Sequence, residues 1–164
     1  MKSHSKQFIN RAISAMLGAI ELYNKPGFPY KMEAFSILAI NGWELLLKAK
    51  WLHENKGKTS CLYVFEPRTK KDGTKSKKEK IKTSDSGVPF TRSISWLAAR
   101  LYEQKKMDAS VLNNLNCLNE IRNACVHFHC ISKELNHRLY GYGAACVIQK
   151  KQSNKHLLRR RRET

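Results

Sequence analysis

The sequence has few acidic residues, few cysteines and no long apolar run, and these shortages exclude several classes of protein. Its five cysteines are odd in number and include no Cys-x-x-Cys pair, which argues against the disulfide framework of a small secreted domain. We read them as reduced thiols and expect a cytoplasmic protein. No apolar run approaches the roughly 18 residues of a membrane-spanning helix, and the N-terminal segment lacks the continuous apolar block of a signal peptide. We therefore expect no membrane partner.

The shortage of acids leaves a strong excess of positive charge. The 164 residues, enough for one domain, include 31 Lys and Arg against 13 Asp and Glu, which gives a net charge of +18. Two segments carry most of this excess. Residues 68–82 hold eight basic and two acidic residues, and residues 149–164 hold seven basic and one acidic residue. Such a balance favours a polyanionic partner, with nucleic acid first, although a lysine-rich loop can also be merely solvated.

Apolar residues at helical spacing predict most of the chain to be helical. The first helix is expected to bury one face and to stop at "NKPGFPYK", whose prolines and glycine break helical pairing. The segment 32–53 is apolar on several sides, which is typical of a helix at the centre of a bundle. Later helices are predicted around 94–101, from Asp108 onward, and across 132–148 with interruptions at Gly141 and Gly143. The expected apolar faces consist of Ile9, Ile13, Met16, Leu17 and Ile20; of Ile94, Leu97, Ala98 and Leu101; and of Val111, Leu115, Leu118 and Cys125.

Between about residues 56 and 90 the pattern changes from helical to extended. "SCLYVFEP" is rich in residues that favour strands, and an Asp-Gly turn signal follows within a lysine-rich stretch. We predict a basic β-hairpin inserted between helices. Its candidate nucleic-acid contacts are the basic residues Arg68, Lys70, Lys71, Lys75, Lys77, Lys78, Lys80 and Lys82.

The stretch "NEIRNACVHFHC", residues 119–130, gathers arginine, histidine and cysteine within a predicted helix. Zinc is one interpretation, because Cys125 and His129 are four residues apart, but no second Cys/His pair follows. A second interpretation is an ordinary helical core, in which the cysteines act as small apolar groups. Arg122 fits that interpretation poorly, because a guanidinium near an apolar face needs a partner.

A third interpretation is an RNA-cleaving site that needs no metal or other cofactor. A histidine that titrates near neutral pH can take a proton from a ribose 2′-hydroxyl, and an arginine can stabilise the charge that develops on the phosphate. Asn123 and His127 lie four apart and share a helical face, whereas Arg122 lies about 100° from Asn123 around the helix. One straight helix therefore does not bring Arg122 and His127 together. A bend, a second helix or a second copy of the chain is needed.

"RNACVH", Arg122–His127, resembles the Arg-x4-His motif of the HEPN superfamily of helical domains, with its typical polar residue directly after the arginine. The segments "AISAMLGAIELYNKPGFPYKMEAFSILAINGWELLLKAKWL" and "GVPFTRSISWLAARLYE" are similar to a bacterial HEPN-like family of uncharacterised domains. Members of that family share the "YNKP" turn, the "WELLLKA" helix and a lysine-rich hairpin before the Arg/His helix. The resemblance covers roughly residues 8–148.

The resemblance implies an all-α, HEPN-like helical bundle that dimerises so that two Arg/His helices face one cleft. The superfamily includes metal-independent ribonucleases of toxin–antitoxin and abortive-infection systems, together with members that only bind or scaffold. It implies that His127 is the acid/base, that Arg122 stabilises the phosphate and that Asn123 orients one of them. Glu44 resembles the acidic residue that many members place near the motif, although an ion pair with Lys48 explains it equally well.

The sequence departs from this family after "YGYGAACVI", where a basic tail begins. We expect a HEPN-like domain over 1–148 and a disordered basic tail over 149–164. The expected function is a dimeric RNA endonuclease of a bacterial toxin or phage-defence type, with RNA and an antitoxin or defence-system protein as partners. The alternatives are a non-catalytic RNA-binding or dimerisation module and a truncated, inactive family member.

Overall fold

A computed structural model describes residues 4–70 and 73–127 of the chain. The described part is mostly helical, with a small two-stranded antiparallel sheet between the second and third helices. In chain order its elements are α1 (His4–Asn24), α2 (Lys31–Glu54), a 3-10 turn (Thr59–Leu62), β1 (Phe65–Thr69), β2 (Lys75–Ile81), α3 (Ile94–Glu103) and α4 (Ala109–His127). The predicted fifth helical segment and the basic tail lie outside the described residues.

Helices α1 and α2 form an antiparallel pair joined by the turn at Pro26 and Gly27. The Ser5 hydroxyl at the start of α1 donates to the Ala49 carbonyl near the end of α2, at 3.2 Å. At the other end, the rings of Tyr23 and Phe35 lie 5.2 Å apart. Gly27 has a φ of +67°, a left-handed conformation that glycine adopts without a steric penalty. The predicted break between the two helices is therefore confirmed.

The buried face of α1 differs from the one that the sequence predicted. Ala12, Met16 and Ala19 are buried, whereas Ile9, Ile13 and Leu17 are exposed. The reason is close approach between the helices, because a Cβ at Gly42 of α2 would lie 2.9 Å from Met16 Cγ. Small residues permit that spacing and β-branched ones do not. The prediction was correct for Met16 and wrong for the three exposed side chains.

The remaining apolar faces agree with the sequence. Helix α2 contacts α1, α3 and α4, which accounts for its apolar residues on several sides. The four predicted residues of α3 are all buried, and the Ser93 hydroxyl accepts a hydrogen bond from the Trp96 amide at the start of that helix. On α4 the buried residues are Leu115, Leu118, Ile121 and Cys125, while Val111 is half-buried.

The predicted hairpin is present, and it stands clear of the helices. Phe65 pairs with Ile81 and Glu66 with Lys80, and a bulge shifts the register between Pro67 and Thr69. None of the described residues in either strand is buried. A two-stranded sheet with both faces in water contributes little stability by itself. Its position therefore depends on the contacts at its base.

Polar and aromatic contacts attach the base of the hairpin to the helices. Tyr63 forms an isolated bridge with Thr91, and the Thr91 hydroxyl accepts a hydrogen bond from Lys48 Nζ of α2 at 3.0 Å. The Trp51 indole of α2 donates to the Cys61 carbonyl at 3.3 Å and packs edge-on against Trp96 of α3. The segments that flank the hairpin are thus hydrogen-bonded to α2.

No helix within residues 4–70 and 73–127 is long and apolar enough to cross a membrane.

Candidate functional site

Helix α4 carries the arginine and asparagine of the predicted motif and ends at its histidine. It begins directly after Asp108, whose carbonyl accepts the Leu112 amide at 3.1 Å, as the sequence predicted. The helix is unbroken from Ala109 to His127, so no bend separates Arg122 from His127. Five residues correspond to a rotation of about 140° around a helix. The two positions therefore point to different sides of α4 within one copy of the chain.

Arg122 lies on the side of α4 that faces the core and is half-buried. Its Nη2 donates to the Asn119 side-chain oxygen, one turn earlier on the helix, at 3.0 Å. Its Nε is buried and has no hydrogen-bond partner among the described residues. Leaving a buried charged donor unpaired is costly.

Asn123 is exposed, on the opposite side of α4 from the core. It belongs to a polar stripe along the solvent-facing side of the helix. By helical spacing His127 continues this stripe, one turn after Asn123. The side chain of His127 lies outside the described part of the structure. The stripe's described members are Asn113, Asn116, Glu120 and Asn123.

Glu44 takes part in the ion pair that the sequence offered as its alternative role. Its Oε1 lies 2.6 Å from Lys48 Nζ, and the same ammonium donates to Thr91 at the base of the hairpin. Lys48 is buried and Glu44 is about one-third exposed. The described contact of Glu44 therefore lies within α2, where it orients the ammonium of Lys48 that also binds Thr91. A supporting role for Glu44 at the Arg/His motif stays a prediction.

Cys125 lies at the contact between α4 and the first turns of α2. Burial raises the pKa of its thiol, the Glu33 carboxylate raises it further, and a hydrogen bond with Ser36 partly opposes both. The thiol therefore stays protonated at neutral pH and is a weak nucleophile. The described residues include no group of three or more His, Cys, Asp or Glu side chains placed to hold a metal ion. His129, which the zinc interpretation pairs with Cys125, lies outside them.

The basic residues predicted to contact nucleic acid form an exposed ridge along the hairpin. Arg68, Lys70, Lys75, Lys77, Lys78, Lys80 and Lys82 are all exposed, and Lys71 lies outside the described residues. Lys80 Nζ is 3.3 Å from Glu66 Oε1, which partly neutralises one position. Lys82 Nζ is 5.4 Å from the centre of the Phe90 ring. The ridge offers several cations to a polyanion at little desolvation cost.

The sequence interpretation missed three features of these two sites. Asn119 holds the Arg122 guanidinium, and its spacing of three residues was the available signal. Thr91 receives Lys48 from a distant helix, which no local pattern shows. Phe65 and Phe90 are exposed beside the basic ridge. Alternation in the strand could have placed Phe65, but only the fold brings Phe90 next to Lys82.

The fold and the two sites define a mostly helical domain with a basic hairpin and an arginine-bearing helix. This chain belongs to a family described as a domain of unknown function (DUF3644), which matches residues 7–157. No curated protein and no solved structure matches the chain.

Proposed function

We propose that this protein is a HEPN-like, metal-independent RNA endonuclease that acts as a homodimer. The observation that carries the proposal is Arg122 on α4, whose guanidinium is positioned by Asn119 and has a buried Nε without a partner in the described part of the chain. A planar guanidinium is well suited to bind phosphate oxygens through its terminal nitrogens. The histidine five residues later completes the Arg-x4-His pattern.

The proposed reaction uses the ribose of the substrate as its nucleophile. His127 removes the proton of a 2′-hydroxyl, the 2′-oxygen bonds to phosphorus, and the bond to the 5′-oxygen breaks. Arg122 stabilises the added negative charge on the phosphate oxygens, and a second proton donor, such as His127 of another copy, protonates the leaving 5′-oxygen. The products are a 2′,3′-cyclic phosphate and a 5′-hydroxyl. DNA lacks the 2′-hydroxyl and is not a substrate in this reaction.

A second copy of the chain brings an arginine and a histidine to the same phosphate, which one helix cannot do. Because α4 is unbroken and the two motif positions differ by about 140°, Arg122 and His127 do not meet at one phosphate within a single copy. Two α4 helices that face each other bring Arg122 of one copy near His127 of the other.

The resemblance to HEPN domains also suggests the biological setting. We infer a bacterial toxin or phage-defence role, with an antitoxin or another component of the defence system as a protein partner. In this setting the basic hairpin holds RNA while the Arg/His site cuts it.

The decisive experiment compares RNA cleavage by the wild type with cleavage by His127→Ala and Arg122→Ala in excess EDTA. Each substitution is expected to lower cleavage by a factor of about 100 or more, because each removes a group that acts in the transition state. Arg122→Lys, which keeps the charge but loses the planar fork, should retain only a small part of the activity. Asn116→Ala, an exposed position on the same helix, is the matched control.

Two readouts separate this mechanism from contamination and from metal catalysis. The product must carry a cyclic phosphate, and RNA with methylated 2′-hydroxyls must stay intact. Loss of cleavage in EDTA, or equal cleavage by wild type and His127→Ala, would reject the mechanism. A folded, dimeric wild type that cuts none of a varied set of RNAs would also reject it.

A second candidate function is a non-catalytic RNA-binding or dimerisation module. The observation that favours it is the exposed basic ridge on a hairpin in which none of the described strand residues is buried. The ion pair of Glu44 with Lys48 also gives that carboxylate a structural role. This module binds RNA with the same dependence on the hairpin lysines but leaves every RNA uncut.

A further inference from the structure

The base of the hairpin exposes four large apolar side chains. The exposed fraction is 39% for Phe65, 37% for Ile81, 61% for Val88 and 45% for Phe90. Phe65 and Ile81 are direct partners across the sheet and project from one face, whereas Lys82 and Phe90, each next to a residue of the Thr83–Pro89 bridge, project from the other. Large apolar groups that gather in water indicate a binding surface more often than isolated ones do.

Three segments of backbone meet at this place and hold the side chains in position. The Val64 amide donates to the Phe90 carbonyl at 2.9 Å, the Lys82 amide to the Val64 carbonyl at 2.8 Å, and the Phe90 amide to the Lys82 carbonyl at 2.9 Å. We call residues 64–65, 81–82 and 88–90 the hairpin base. Backbone hydrogen bonds engage both the amide and the carbonyl of Lys82. The three segments, and the aromatic residues on them, are therefore held in fixed positions.

Positive charge borders the Phe90 ring of the hairpin base. Lys82 Nζ lies 5.4 Å from the centre of the Phe90 ring, and Lys80 is the next outward-facing cation along β2. From there the basic ridge continues toward the turn with Arg68, Lys77 and Lys78. Aromatic rings beside a track of cations are the combination that binds single-stranded nucleic acid, because bases stack on the rings while the cations contact phosphates.

We propose that the hairpin base is a stacking platform for single-stranded RNA, in which bases stack on Phe90 on one face and on Phe65 on the other while the basic ridge contacts the phosphates. This inference rests on the proposed function for its choice of RNA and deepens it by naming the single-stranded form.

Two other partners fit the same surface less well. In an RNA duplex the bases are already stacked on one another, so the rings of Phe65 and Phe90 have no base face to bind. An anionic membrane would attract the lysines, but Phe90 could enter the acyl region only together with the Lys82 ammonium beside it, at a high desolvation cost. Single-stranded RNA satisfies the rings and the cations together.

The test measures binding by the full chain carrying His127→Ala, so that bound RNA stays uncut. Fluorescence anisotropy compares a labelled single-stranded RNA, a DNA of the same sequence and the corresponding RNA duplex over a range of salt. We expect the single strands to bind in preference to the duplex, with DNA close to RNA because stacking needs no 2′-hydroxyl. Adding Phe65→Ala and Phe90→Ala should weaken single-strand binding by about tenfold or more without changing its salt dependence.

Matched variants separate stacking from simple apolar contact. Phe90→Tyr keeps an aromatic face and should keep affinity, whereas Phe90→Leu keeps an apolar side chain and should lose it. Tyr102→Ala removes an aromatic side chain of similar exposure (44%) on α3, away from the hairpin, and should change nothing.

Three results would overturn the proposal: unchanged affinity after both phenylalanine substitutions, duplex binding as tight as single-strand binding, or stronger binding to phosphatidylcholine–phosphatidylserine vesicles than to RNA. Each is distinguishable from failure of the proposed function. Single-strand binding that depends on the rings, by a chain whose parent cuts no RNA, would reject only the nuclease. Cleavage by the parent with ring-independent binding would reject only the platform.

Discussion

The Arg122 guanidinium donates a hydrogen bond of 3.0 Å to Asn119, one turn earlier on the same helix. Because Nε of the same group is buried without a partner in the described part of the chain, Asn119 contributes the side-chain hydrogen bond that holds the guanidinium in place. Asn119 is therefore expected to position Arg122, and its removal affects both stability and any activity that uses Arg122.

Asn119→Ala is expected to lower the free energy of unfolding by about 1–2 kcal/mol, because a half-buried guanidinium loses its acceptor. Asn119→Asp keeps an acceptor oxygen and should keep most of that stability. Denaturant unfolding measures the difference, with the exposed Asn116→Ala as the control on the same helix. If Asn119→Ala is as stable as the control, the hydrogen bond from Arg122 to Asn119 does not stabilise the fold in solution.

The substitution Glu44→Gln distinguishes a structural role of Glu44, in the ion pair with Lys48, from a supporting role at the Arg/His motif. The observed ion pair predicts a loss of stability of about 1 kcal/mol and undiminished RNA cleavage, because the carboxylate contacts Lys48 and is partly screened by water. Lys48→Met should cost more, about 1–3 kcal/mol, since it also removes the hydrogen bond to Thr91. Denaturant unfolding and the cleavage assay are measured on the same preparations. Cleavage lost from a fully stable Glu44→Gln protein would instead place this carboxylate at the Arg/His site.

Reversing charge on the hairpin is expected to weaken RNA binding and to flatten its salt dependence. Lys70, Lys77 and Lys78 are exposed on the ridge, and replacing all three with glutamate removes up to three cations that can neutralise phosphates. For a single strand, each phosphate that is no longer neutralised should reduce the slope of log K against log salt by about 0.7. Charge reversal at Lys25, Lys56 and Lys105, which are exposed elsewhere, changes the net charge by the same amount. It should leave the slope of log K against log salt nearly unchanged. Equal effects of the two triple variants would show that net charge alone attracts RNA.

Gly42→Ala is expected to destabilise the α1–α2 contact. The added Cβ would lie 2.9 Å from Met16 Cγ and 3.0 Å from its Cε, and both atoms belong to a buried side chain. Overpacking of this kind costs about 1–3 kcal/mol, of which the better helix propensity of alanine returns up to about 1 kcal/mol. We expect a net loss of about 1 kcal/mol in thermal or denaturant unfolding.

Gly18→Ala is the matched control for that contact. Its Cβ would meet Leu38 Cδ1 at an ordinary 3.5 Å, so the gain in helix propensity should leave the protein as stable as the wild type or slightly more stable. If both alanine variants gained stability, the close approach at Gly42 would not be tight in solution.

The sequence by itself determined the helices whose burial follows local spacing. Ile94, Leu97, Ala98 and Leu101 form one face of α3 in the structure as in the sequence, because one strongly apolar stripe has a single way to meet the core. The basic hairpin was predictable for a similar reason, since its turn signal and lysine-rich strands have no competing pattern. Arg122, Asn123 and His127 were also correctly assigned to a single helix.

Only the tertiary structure decided which side of α1 is buried and what the polar residues contact. Two stripes of α1 have helical spacing, and the close approach of Gly42 to Met16 selects the one that contains Ala12 and Ala19. The partner of Lys48 across the fold, Thr91, is 43 residues away in sequence, and Phe90 meets Lys82 only because the chain returns along the hairpin. Local periodicity sets which residues can share a face. The packing of distant segments then determines which face is buried and which polar groups meet.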